Sequence, residues 1–161
     1  MPRTQLMSAS RVRRTLTRLA YEIVERNRGL DNLVVCGIQE RGLVLARQIV
    51  AELSAIESYA HTVIPIDIRA QHPLQTESTQ IGGRDVVIVD DVLFSGKTAW
   101  TAVEAVLHAA KPESSQLAVL IDRGHRRFPI QPDFVGKTIP TKYGEQVVVE
   151  TEGEVAVFLE E

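Results

Sequence analysis

The stretch that decides the fold is Val86-Val87-Ile88-Val89-Asp90-Asp91-Val92-Leu93-Phe94-Ser95-Gly96-Lys97-Thr98. Four β-branched apolar residues lead straight into two adjacent acids, a short loop follows, and Thr98 to Ala110 has helical spacing. An all-apolar run predicts a strand buried on both faces, as in a parallel sheet. Carboxylates at its carboxyl end then lie where open α/β sheets bind ligands. Ser95, Gly96 and Thr98 stand at a helix N-terminus, where backbone amides and the helix dipole favour a phosphate. Paired acids for sugar hydroxyls beside a phosphate cradle make a phosphoribose site. Either half alone is equally well read as an ordinary buried strand or a plain helix start; the whole string is not.

Working outward, 161 residues form one domain with a sizeable core. The composition, 44% hydrophobic and 24% charged, is that of a globular protein, and a net charge of −3 excludes a globally basic nucleic-acid binder. A single cysteine, Cys36, excludes a disulfide framework within the chain and sits in an apolar run, as an inert core thiol would. No apolar run reaches membrane-spanning length and no signal-peptide core opens the chain, so a cytoplasmic protein is expected.

Upstream, Ser8 to Arg28 predicts a helix capped by Ser10, burying Val12, Leu16, Leu19 and Ile23 and stopping at Gly29. Its polar side carries Arg11, Arg13, Arg14, Arg18, Arg26 and Arg28, the most basic segment of the chain and, on this count alone, a solvated face. Leu33 to Ile38 is a strand. The turn Gly37-Ile38-Gln39-Glu40-Arg41-Gly42 leads to a helix over 41–53 that buries Leu43, Ala46, Ile49 or Val50, and Leu53. Tyr59 to Arg69 reads as an edge strand because of Pro65. The polar loop 70–83 is long enough to be a flap over the site. Downstream, Leu117 to Ile121 is a second buried strand ending in Asp122-Arg123-Gly124-His125-Arg126-Arg127. Prolines 129, 132 and 140 predict an irregular segment around Phe134-Val135-Gly136, and a hairpin about Glu152-Gly153 closes the chain. The order is that of an α/β domain with a largely parallel central sheet flanked by helices and a small C-terminal addition over the strand ends.

Competing chemistries fail on particular residues. Gly96-Lys97-Thr98 lacks the P-loop's first glycine, since Asp91 holds that position and would repel phosphates. A receiver domain needs acids after its first strand, which here ends in Gly37 and Ile38. His61, His72, His108 and His125 are too scattered for a zinc site, and no nucleophile–base pair stands out. Phosphoribosyl transfer, which proceeds through an oxocarbenium-like transition state by positioning and electrostatics, needs no covalent residue.

The segment Val87 to Thr98 resembles the phosphoribosyl pyrophosphate (PRPP) signature of the type I phosphoribosyltransferases. Leu16 to Ala20, Glu22 to Asn27, Gln116 to Arg126, Pro129-Ile130 and Asp133 to Lys137 extend the resemblance to the PyrR family, over about residues 12 to 159. The string Asp122-Arg123-Gly124-His125-Arg126 is its most discriminating part. These are pyrimidine-operon attenuation regulators that are also uracil phosphoribosyltransferases. The resemblance implies the type I phosphoribosyltransferase fold with a hood. It places Asp90 and Asp91 on the ribose hydroxyls as catalytic residues. Val92, Leu93, Phe94, Ser95, Gly96, Lys97 and Thr98 would surround the 5′-phosphate, and Glu40 and Arg41 the pyrophosphate. Arg123 and backbone near Val147 would face the base. Arg14, Thr17 and Arg18 would belong to an RNA-binding face. Mg²⁺ is the implied cofactor, bridging ligand oxygens rather than held by protein side chains. PRPP, uracil, UMP or UTP and pyrimidine leader mRNA are the implied partners, and a homodimer or homotetramer the implied assembly. Leu6, Met7 and Trp100 are candidate interface residues, although Trp100 shares a helical side with Val103 and Leu107 and so suits packing.

Departures from the family pattern mark what to look for. Arg69-Ala70-Gln71-His72-Pro73 replaces a Tyr-Arg-Asp-Asp-like string and the loop is shortened, which predicts weakened turnover. Glu40 replaces threonine, Tyr21 a histidine, and Lys142-Tyr143-Gly144 a Ser-Arg/Lys-Ser pattern, while Lys97 for arginine is mild. The family also suggests a cis peptide at Glu40-Arg41. Two alternatives stay open: a catalytically silent RNA-binding regulator that senses uridine nucleotides, and a transferase for another base.

Overall fold

A computed structural model describes residues 2–74 and 80–161. Its centre is a five-stranded, all-parallel sheet in the order β3-β2-β4-β5-β6. The strands are β2 (Leu33–Ile38), β3 (Ile64–Ile66), β4 (Asp85–Leu93), β5 (Ser114–Asp122) and β6 (Phe134–Thr138). Helices α1 (Ala9–Asn27), α2 (Arg41–Ile56) and α3 (Lys97–Ala109) cover it. Alternate residues of β2, β4 and β5 point into two separate cores, which is why the runs 33–36, 86–89 and 117–121 are apolar at every position. Val35, Val87, Val89, Ala118 and Leu120 pack with α1 and α2 through Leu16, Leu19, Ile23, Leu45 and Ile49. Val34, Cys36, Val86, Ile88, Leu117 and Val119 pack with Ala99, Ala102 and Val106 of α3. Burial pushes the Cys36 thiol up to about 12, so it stays protonated and inert.

A second, antiparallel sheet joins β1 (Arg3–Met7), β8 (Ala156–Glu160) and β7 (Gln146–Glu150) in the order β1-β8-β7. The expected C-terminal hairpin is present, but the addition is completed by the N-terminus, whose Arg3 to Gln5 pair with Glu160 to Phe158. Arg41, which follows β2, donates through Nε to the Val149 carbonyl at 2.9 Å. Arg123, which follows β5, donates to the Glu145 carbonyl at 2.6 Å. The small sheet is therefore fastened to the carboxyl ends of the parallel strands.

Several expectations need correction. Met7 is 2% exposed and belongs to the core, with Leu6 partly buried against it, so Met7 is not offered to a partner. Ser8, not Ser10, caps α1, accepting from the Arg11 amide, and Arg28 (φ 55°) ends it one residue before Gly29. Leu45 replaces Leu43 as the buried residue of α2. The strand expected over 59–69 shrinks to Ile64–Ile66, although it is at the sheet edge as Pro65 required. The proline-flanked segment forms a true edge strand, β6, because the prolines fall outside it. Its Gly136 is obligatory: a Cβ there would collide with the Leu120 carbonyl and lie 2.9 Å from Thr15 Cγ2 of α1. Trp100 is 38% and Leu107 56% exposed, so they do not pack into the core as their helical spacing suggested. Part of the flap expected over 70–83, residues 75–79, lies outside the described residues. Its first limb is tied back to β3 by Asp67 N–H to Pro73 O (2.9 Å) and an Ile66–Leu74 bridge.

Candidate functional site

Asp90 and Asp91 occupy the carboxyl end of β4, followed in the same strand by Val92 and Leu93. The Asp90 carboxylate accepts the Asp91 amide and the Asp91 carboxylate accepts the Val92 amide, each at 2.8 Å. These local bonds fix both carboxyl groups on the strand end. Burial pushes the Asp90 carboxyl well above the usual carboxylate range, and the adjacent Asp91 charge and hydrogen bond push it the same way. An acid held at this cost at a sheet's ligand-binding edge marks a functional position.

The loop Phe94 to Gly96 then turns into α3, whose first turn holds Lys97 and Thr98. Gly96 adopts φ 89°, a left-handed conformation that favours glycine. A Cβ on it would approach Ile130 Cγ2 to 2.5 Å. Asp90, Val92, Leu93, Phe94, Ser95, Gly96, Lys97 and Thr98 line one cavity of about 150 Å³. Asp90 and the helix N-terminus thus open onto a single space.

Glu40 and Arg41 line a neighbouring cavity of about 450 Å³, walled on its other side by Val148 to Glu152 of the small sheet. The cis peptide in this turn is Gln39-Glu40, one residue earlier than expected. Its two glycines approach the protein's own backbone rather than a ligand. A Cβ on Gly37 would lie 2.6 Å from Leu43 Cα, and one on Gly42 would lie 2.5 Å from the Val89 carbonyl and 3.0 Å from Asp90 Cα. Gly42 therefore seats this turn directly against the acid-bearing strand end. The Arg41 guanidinium is held by the Val149 carbonyl, and Glu150 and Glu152 bring further acids to the cavity.

Arg123 is 8% exposed, and its guanidinium is engaged by protein groups. It donates to Thr141 Oγ1 (2.8 Å) and the Glu145 carbonyl (2.6 Å) and lies 4.0 Å over the Phe94 ring. It thus joins the Phe94–Gly96 loop to residues 141–145, two positions before Val147, whose side chain packs against the larger core. His125 (φ 65°) stacks between Phe94 and Tyr143, with centroids 5.2 and 4.4 Å away, and its Nε2 hydrogen-bonds the Thr141 carbonyl at 2.6 Å.

Arg126, to which the sequence reading gave no role, makes three hydrogen bonds: to Asp122 (2.7 Å), the Phe94 carbonyl (3.1 Å) and the Ile130 carbonyl (3.0 Å). Its only signal in the sequence was membership of the charged string after β5. Burial would raise the Asp122 carboxyl, but hydrogen bonds from Arg126 and the Gly124 amide outweigh it and hold the carboxyl below its ordinary value. Asp122 therefore contributes stability in full above the usual carboxylate pKa of about 4, and that contribution disappears as pH falls through its lowered native value. Urea midpoints at pH 7 and pH 3 should differ less in Asp122→Asn than in the parent; equal pH slopes would show that the pair adds nothing.

On α1, Arg14 is exposed, the Thr17 hydroxyl donates to the Arg13 carbonyl, and Arg18 is committed to the fold. Its guanidinium bonds Glu22 and the carbonyls of Val135 and Gly136, fastening α1 to β6.

Comparison with known proteins bears on this geometry. The phosphoribosyl transferase domain matches residues 3–152. A bifunctional protein PyrR of Leuconostoc mesenteroides is 42% identical over 98% of both chains. One of Clostridium novyi is 42% identical over 89% of this chain and 88% of its own. Among solved structures, hypoxanthine phosphoribosyltransferase of Trypanosoma cruzi superposes with a TM-score of 0.75 at 19% identity, covering 89% of this chain and 78% of that one. That likeness speaks to the fold.

Proposed function

The chain belongs to the PyrR family of type I phosphoribosyltransferases, and on that premise we propose that it joins uracil to PRPP, giving UMP and pyrophosphate, and regulates pyrimidine genes by binding their leader mRNA. The observation that carries the transferase reading is the single cavity shared by Asp90 and the Phe94–Thr98 helix start. In the reaction the bond between C1′ and pyrophosphate breaks, uracil N1 takes its place, and the N1 proton leaves to water. The Asp90 and Asp91 carboxylates hold the ribose hydroxyls and favour the positive charge that develops on the ring. The amides at the start of α3 hold the 5′-phosphate, so the reacting carbon is fixed between two anchors.

Mg²⁺ fits this donor set. The Asp90 and Asp91 carboxylates are hard oxygen donors of the kind Mg²⁺ takes. When bound, it supplies neutralising charge to the departing pyrophosphate. Asp90 and Asp91 are the residues that would hold it through the ribose oxygens. Glu40 and Arg41 border the pyrophosphate side.

Radiolabelled uracil with PRPP and Mg²⁺ should yield UMP. The reading fails if the parent protein makes no more than its Asp90→Asn/Asp91→Asn double variant.

The regulatory half rests on α1, where Arg11 and Arg14 are exposed one turn apart and Arg13, also exposed, pairs with Glu154 at 3.1 Å. Affinity for pyrimidine leader RNA should fall steeply with salt and respond to UMP or UTP. A homodimer or homotetramer would extend that surface. A flat titration would rule the RNA role out.

A further inference from the structure

We propose that Arg126 is a positioning residue for the phosphate loop, pinning the Phe94 carbonyl so that the following amide faces a bound phosphate. The inference rests on the phosphoribose reading of the site and assigns a role to the one charged residue of the 122–126 string left without one.

A peptide unit is planar and trans, so the carbonyl of Phe94 and the amide of Ser95 point in opposite directions. Arg126 Nη1 holds that carbonyl at 3.1 Å, which turns the Ser95 N–H away from the 122–130 segment. The next peptide plane is pinned from the same side: the amides of Arg127 and Phe128 both donate to the Ser95 carbonyl, at 2.8 and 3.0 Å. The Gly96 N–H is thereby aimed away as well. Ile130, whose own carbonyl accepts from Arg126 Nε, backs Gly96 closely. Residues 126–130 thus form the outer wall of the loop, and Arg126 is its tie.

The guanidinium is suited to this work as no other side chain is. Its three nitrogens reach three acceptors in divergent directions, Ile130 O from Nε, Phe94 O from Nη1 and Asp122 from Nη2. The planar fork does this without rotation. A lysine ammonium at the end of its stem could balance Asp122 but not span all three. Phe94 is gripped a second time through its ring by Arg123. Arg126 and Arg123 therefore couple the phosphate end of the site to residues 141–145.

The test compares UMP with uridine, two ligands differing only in the phosphate, by calorimetric titration of the full chain. In the parent, UMP should bind more tightly. In Arg126→Gln and Arg126→Lys that advantage should shrink about tenfold, the scale of one hydrogen bond to a charged group, while uridine affinity stays within about twofold. Arg47→Gln, which removes an exposed guanidinium from α2, should match the parent. A UMP advantage unchanged in both Arg126 variants overturns the proposal, as does an equal loss of UMP and uridine binding, which would mean general structural damage. A full recovery in Arg126→Lys overturns it too, since charge balance alone would then suffice. A parent that binds UMP no better than uridine would sink the phosphoribose reading itself, and this proposal with it.

Discussion

Replacing Asp90 with asparagine is expected to cut UMP formation by at least about a hundredfold while making the protein harder to unfold. The two effects share one cause. Asp90 lies at 7% exposure beside a second acid, and burial followed by the Asp91 charge raises its carboxyl pKa. A carboxyl whose native pKa is raised works against folding above its ordinary value, because the folded state must give up a proton that it holds more tightly than the unfolded chain does. Asparagine keeps the oxygen that accepts the Asp91 amide and removes the buried charge. A gain of about 1 kcal/mol would raise Tm by roughly 3 °C in a chain of this size. In the proposed reaction, however, the lost charge is also the strong acceptor for a ribose hydroxyl and part of the field that favours an oxocarbenium ion. Thermal melts at pH 7 and initial rates on the same preparation decide the matter. A destabilised, inactive variant would show that Asp90 serves the fold rather than the reaction.

Asp90 and Asp122 predict opposite pH behaviour although both are acids at strand ends. Asp122 meets an arginine and an amide; Asp90 meets another acid. The sequence made both acids and the Asp90-Asp91 pair visible but not the partner of Asp122, because Arg126 reaches it from four residues on only after the chain leaves β5 and folds back.

The same limit explains which parts of the fold were legible. Strands β2, β4 and β5 announced themselves because helices cover both their faces, so their central runs 33–36, 86–89 and 117–121 had to be apolar. Edge elements gave weaker signals. β6 is short, half-exposed and hemmed in by prolines, and its strand character comes from pairing with Ala118 to Asp122, a long-range contact. β1 carries only Leu6 and Met7 as apolar residues and is a strand because β8 is there to receive it. At the site, the acid pair at the end of β4 and the loop that starts α3 could be read because they are contiguous. In the Gly37–Gly42 turn the glycines mark close approach to Leu43 and to Asp90's own strand, contacts that no local pattern names. Arg123 was marked for the base by resemblance, yet its guanidinium bonds Thr141 and Glu145. Residues brought from elsewhere in the chain supply that environment, and no local pattern encodes it.

Gly96 is where contiguity and long-range packing meet, and Gly96→Ala is expected to damage both stability and phosphate binding. At φ 89° an L-residue costs roughly 1–2 kcal/mol. The added methyl must also displace Ile130 Cγ2 from 2.5 Å, an overpacking cost of about 1–3 kcal/mol. Neither relief route is harmless. If the loop backbone moves, the peptide planes that aim the Ser95 and Gly96 amides rotate. If Ile130 moves, its carbonyl leaves Arg126 Nε and loosens the hold on Phe94. UMP affinity should therefore fall by more than the stability loss alone would suggest, with uridine affinity much less affected. Ile130→Ala provides the discriminating partner. Combined with Gly96→Ala it removes the clash but leaves the positive φ, so part of the stability should return. Phosphate selectivity returning fully in the double variant would locate the whole defect in the side-chain collision. If it returns only in part, the left-handed turn at Gly96 is itself required to present the loop's amides.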